Sequence, residues 1–113
     1  MAEKRAQVIP YVKELTALQG KRLYEKAPFG CYVEDVIIHW PDGCDGVVDV
    51  RVCHGRTQFL PREGYLALDA ATPKYSFEKS VPVSEAEEIW VEMRNGDSAN
   101  PHKISVSVKV VEQ

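Results

Sequence analysis

Three histidines (His39, His54, His102) and three cysteines (Cys31, Cys44, Cys53) are the side chains that could hold a transition metal or act as nucleophile or base. A catalytic zinc centre draws on two or three ligands converging, often at spacings such as H-x-H or H-x-x-x-H. These histidines are scattered, and no such spacing occurs. Cys53 and His54 are adjacent, so in a strand their side chains face opposite ways. A mixed cysteine–histidine centre would have to be assembled by the fold from distant segments. A cupin-type metal site needs clustered His and Glu, a pattern missing here.

The acidic loop Asp42-Gly43-Cys44-Asp45-Gly46, followed by Asp49, offers oxygen ligands of the kind calcium takes, as do Asn95, Asp97 and Asn100. Neither has the EF-hand's spacing, and turn chemistry accounts for both. Glu63 and Asp69 flank a short apolar stretch without the geometry of a catalytic pair. The chain has no G-x-S-x-G elbow, phosphate loop or G-x-G-x-x-G. The reading is therefore not an enzyme, with no catalytic, cofactor or metal residue assigned.

Composition bounds the rest. The 113 residues are 44% hydrophobic and 27% charged, with net charge −3, one domain's worth of core-forming sequence. Residues 1–56 carry 8 basic and 8 acidic groups; residues 57–113 carry 6 and 9. Neither half supplies a basic stripe, so nucleic acid is not expected as a partner. Glu85, Glu87 and Glu88 read as a solvated turn. No apolar run is long enough to span a membrane, and none is expected as a partner. The start, Met1-Ala2-Glu3-Lys4-Arg5, leads into no long apolar stretch, so no signal peptide is expected. An odd cysteine count argues against a disulfide scaffold and for small hydrophobes in a reducing compartment. A Cys44–Cys53 bridge across a hairpin stays open.

The elements that must position these groups are strands. Ile104, Val106, Val108 and Val110 alternate with Lys103, Ser105, Ser107 and Lys109, one face apolar and one wet. Ile89, Val91 and Met93 repeat the pattern against Glu88, Trp90, Glu92 and Arg94. Turn formers from Asn95 to Pro101 join the two into a closing hairpin. Val48, Val50 and Val52 oppose Asp49 and Arg51. Tyr32–Trp40 is β-branched and aromatic, and Pro41–Gly46 makes a tight loop between these two strands. Tyr65–Leu68 reads as a short strand. Tyr75 and Phe77, then Val81 and Val83, form an extended stretch interrupted by Pro82, at an edge. Residues 8–18 fit a helical period through Val8, Val12, Leu15 and Leu18, but Pro10 and the β-branched residues favour a strand. A turn at Gln19-Gly20 and a second strand, Lys21–Lys26, follow. The expectation is about eight strands in an antiparallel sandwich, jelly-roll-like. It forms a single domain, 1–113, with 1–10 an N-terminal arm.

Aromatics supply the binding feature. Trp90 falls on the wet face of its strand, where a ring of that size needs something to pack on. Phe59 and Leu60 lie in a predicted loop, Thr57–Tyr65, where they either plug one end of the sandwich or anchor a neighbour. With Val8, Ile9 and Tyr11 of the arm, these six residues are the expected protein contacts.

The strand–loop–strand Val36–Val52 with its PDGCDG turn, the connection QFLPREGYLALD (Gln58–Asp69) and the closing segment Glu88–Val110 around NGDSANPH cover about half the chain. Their arrangement resembles the small jelly-roll or β-sandwich virion proteins of bacteriophages and archaeal viruses. The resemblance is architectural and rests on no diagnostic motif. It implies a structural role in a shell, decoration or tail, self-association, and a virion or cytoplasmic location. It implies no catalytic or ligand residue. Carbohydrate-binding modules share the architecture, and Trp40, Trp90 or Tyr65 would be the stacking platform in that alternative. A metal-dependent cupin-like enzyme is the third reading.

Overall fold

The alternation that begins at His102 becomes the longest strand of the protein, eleven residues to Glu112. It lies at the heart of one of two sheets. A computed structural model describes residues 3–113. Among the described residues the chain forms nine strands and no helix. They are β1 (Ala6–Leu15), β2 (Gly20–Lys26), β3 (Cys31–His39), β4 (Val48–His54), β5 (Thr57–Leu60), β6 (Lys74–Ser76), β7 (Pro82–Val83), β8 (Glu88–Asn95) and β9 (His102–Glu112). No described helix is therefore long and apolar enough to cross a membrane.

The first sheet runs β1-β9-β3-β6, with β7 also on β3, and the second runs β2-β8-β4-β5. All pairs are antiparallel. Treating β6 and β7 as one broken edge strand makes the logic plain. First pairs with last (β1·β9), second with next to last (β2·β8), third with β6/β7, and β4 with β5. One long hairpin is thus wound over itself, and β3·β9 and β4·β8 close the turns of the winding. That is the jelly roll, the expected fold.

Between the sheets lies a core of aliphatic side chains taken from alternate positions, each worth about 1.5–3 kcal/mol of burial. Ile104, Val106, Val108 and Val110 meet Val48, Val50, Val52, Ile89, Val91 and Met93 there. In β3 the alternation changes phase. Cys31 and Val33 point inward, then Val36, Ile38 and Trp40 do, because a bulge at Glu34 lets two consecutive residues face out. Polar bonds also join the sheets: Tyr11 Oη donates to the Ile89 carbonyl, and Trp40 Nε1 donates to the Val48 carbonyl. Asn95 is also buried, and its Nδ2 reaches the carbonyls of Leu15, Thr16 and Asn100, tying three chain segments at one pole.

Several expectations need correction. The Val36–Val52 and Glu88–Val110 segments are not hairpins. In each, the chain leaves one sheet and enters the other, so the strands joined by the loop do not pair. Alternation is the same in both cases, which is why the pattern misleads. Thr57–Leu60 is a strand, paired with β4 through a turn at Gly55-Arg56. Tyr65–Leu68 is not one: only Leu66 bridges, to Val50. Within the 1–10 arm, Ala6–Pro10 belongs to β1 and pairs with β9. Met1 and Ala2 of that arm lie outside the described residues. All three cysteines are free and buried, so the Cys44–Cys53 bridge is not formed.

Candidate functional site

The outward face of the β2-β8-β4 sheet is built in cross-strand rows. Arg22, Glu92 and Arg51 stand side by side, as do Tyr24, Trp90 and Cys53, and Gly20, Arg94 and Asp49. Opposed residues in such rows interact directly. Glu92 sits between two guanidiniums: Arg22 Nε donates to Oε2 at 2.8 Å. Arg51 Nε lies 2.8 Å from Oε1, but its N–H is not aimed at that oxygen and finds no acceptor. Tyr65 Oη, from the loop after β5, donates to Oε1 at 2.6 Å. Burial alone would push the Glu92 carboxyl up. The Tyr65 and Arg22 hydrogen bonds, with the charges of Arg51 and Arg22, outweigh it and hold Glu92 below the usual range.

Cations and rings alternate above this row. Arg22 and Arg51 lie 5.1 and 5.4 Å from the Trp90 ring. Arg51 and Arg94 lie 5.2 and 3.9 Å from the Tyr65 ring. Each such contact is worth about 0.5–2 kcal/mol. Tyr24 leans on Trp90 at 5.6 Å, and Trp90 Nε1 donates to the Gly55 carbonyl at 2.9 Å. Trp90 is half-buried, and what it packs on is its own chain. Arg94 in turn pairs with Asp49 at 3.0 Å. Apart from the Arg51 Nε–H, the polar groups of this face that are described above find partners within the chain.

The opposite face differs. On β1 the residues pointing out are Val8, Pro10 and Val12, with Val8 54% and Val12 52% exposed. Across β9 they meet Lys109, Ser107 and Ser105, and beyond these Asp35, Ile37 and His39 of β3. Two small serines thus stand between an apolar row on β1 and Ile37, itself exposed.

The sheet edges are blunted. β1 carries Pro10, which has no N–H to donate, Lys21, Arg22 and Lys26 charge β2, β5 spans only four residues, and β7 contains Pro82.

The six expected contact residues scatter. Ile9, Tyr11 and Leu60 are core, at most 6% exposed. They point into the sandwich because their positions have the inward phase of β1 and β5. Phe59 is half-buried against the core, Trp90 is as described, and Val8 alone is strongly exposed. Trp40 is sealed, so it cannot serve as a stacking platform. The histidines do not converge: His39 pairs with Thr72, His54 with Glu87 and His102 with Asp97. Among the described residues no three His, Cys, Asp or Glu side chains gather as a metal group. The arginine–aromatic array was missed because its members come from four separate segments; the one sign of it in the sequence was Trp90 among Glu92 and Arg94.

No protein-family model and no curated protein matches the chain. A solved structure does: the crystal structure of FLHE covers 99% of this chain and 99% of its own, at 14% identity and a TM-score of 0.57. The likeness is one of fold. It extends over the whole sandwich and carries no residue of a site.

Proposed function

We propose that the protein is a non-enzymatic structural or assembly component that works by protein contacts, first of all with a second copy of itself. The observation that carries this reading is the exposed apolar row Val8, Pro10 and Val12 beside the small side chains of Ser107 and Ser105. The row would act as a ridge and the serines as a groove. Two copies related by a twofold axis would seat each ridge in the other's groove, as a self-complementary patch requires. Pro10 disfavours the competing mode, strand addition along the β1 edge. A virion shell, decoration or tail is the finer form of the proposal, supported by the jelly-roll winding that capsid proteins use. Lectins and cupins share that winding, so topology alone does not choose. The carbohydrate reading is weakened by the sealing of Trp40 and by the guanidiniums over Trp90.

The test is solution mass by light scattering. The expected result is a dimer or larger, returned to monomer by Val12→Asp with the circular dichroism spectrum unchanged. A monomeric wild type at high concentration overturns the proposal.

A further inference from the structure

The two sheets part along the side where β5 and the β6–β7 segment form their free edges. A cleft of about 490 Å³ opens there, within the range of small-molecule sites. Its apolar wall is Phe59, Phe77, Val81 and Pro82. Phe59 and Phe77 meet edge to face across the gap, with centroids 5.4 Å apart. Phe59 reaches this place by a bulge: Val52 pairs with Leu60 and Cys53 with Gln58, so Phe59 is the extra residue and its ring is re-aimed.

The polar wall is His54 and Arg62. Glu87 Oε2 accepts from His54 Nδ1 at 2.8 Å. A carboxylate can only accept, so Nδ1 carries the hydrogen, and Nε2 makes no hydrogen bond among the described residues. Glu87 has its own supports, since the Ser84 N–H donates to its other oxygen at 2.9 Å. Gly55 leaves the carboxylate its room: a Cβ there would stand 2.5 Å from Glu87 Oε2. Arg62 makes no ion pair among the described residues, yet the backbone beneath it is fixed. Gln58 Nε2 donates to the carbonyls of Pro61 and Gly64 on either side of it, and Arg51 orients the Gln58 amide.

We propose that this cleft binds a small organic acid, a carboxylate on an aromatic or apolar body, with the ring against Phe59 and Phe77 and the carboxylate on Arg62. The inference is independent of the self-association proposed above. The test follows backbone amide shifts of the full chain by NMR during titration with phenylacetate, its neutral amide and acetate. Expected are saturable shifts confined to residues 54–64 and 77–82 with phenylacetate. The amide, acetate and Arg62→Gln are each expected to bind about tenfold or more weakly. No saturation by about 50 mM phenylacetate, shifts centred elsewhere, equal binding of the amide, or unchanged affinity in Arg62→Gln would each overturn it.

Discussion

The Tyr11 hydroxyl donates to the Ile89 carbonyl at 2.6 Å, a buried bond between an edge strand of one sheet and a central strand of the other. Burial drives this hydroxyl well above the ordinary tyrosine value, with Glu25 adding to the effect. Tyr11→Phe keeps the ring and removes only the bond. The expected cost is about 1–2 kcal/mol, read as a lower urea midpoint with unchanged slope. An unchanged midpoint would show that the bond adds nothing net.

Glu92 holds the arginine–aromatic array together. Glu92→Gln keeps its shape but leaves Arg22 and Arg51 facing each other across a neutral amide. A loss of about 1–3 kcal/mol is expected. The Arg22→Ala change should cost less, because that side chain is half exposed. Urea unfolding of both variants checks the order, and a reversed order would remove Glu92 from its central place.

Acid should unfold the protein through a small set of carboxylates. N–H groups of Ala99 and Asn100 and the His102 ring hold Asp97 down to about 2. Glu92 is low as described. Glu87 is low because the Ser84 N–H and His54 outweigh its burial, and Glu112 is low through its bonds to Arg5. A carboxyl whose folded value is depressed binds its proton more readily in the unfolded chain. Its stabilisation is therefore complete above the usual carboxylate range and is lost as pH falls through the folded value. Melting temperature should be level from about pH 7 to 5 and fall steadily toward pH 2. Asp97→Asn should flatten the lowest part of that fall. A melting temperature that does not drop below pH 4 would contradict the assignment.

Cysteine labelling reports the same core. Burial pushes the Cys31 and Cys53 thiols up to about 11, and Cys44 is raised too. A thiol that is both enclosed and protonated is a poor nucleophile. Native protein at neutral pH should take up almost no maleimide, and urea-unfolded protein three equivalents, counted by mass spectrometry. Rapid native labelling would mean that the sandwich opens readily at β3 or β4.

These cases show what could be read from the residues and what could not. Ile104–Val110 and Ile89–Met93 announced their strands and inward faces, because each strand has one wet side and no bulge among those residues. Pro10 and the β-branched residues before it likewise mark strands and not a helix, and β1 and β2 lie at the sheet edges. The partner of each strand was less legible. A chain that turns back within one sheet and a chain that crosses to the other carry the same zigzag, as Val36–Val52 and Glu88–Val110 demonstrate. Phe59 reads as a loop residue because a bulge breaks the period there. The cleft between Phe59 and Phe77, and the array around Glu92, depend on side chains brought together from distant segments, which local patterns do not encode.

The antiparallel pairing of β1 with β9 sets Ala6 opposite Val111, with Arg5 and Glu112 in contact just beyond. Tension applied to the two chain ends would therefore act at one extremity of a single ladder and load its hydrogen bonds in succession. The domain would peel like a zipper at modest force, where a sandwich whose ends leave at opposite poles would have to shear many bonds at once.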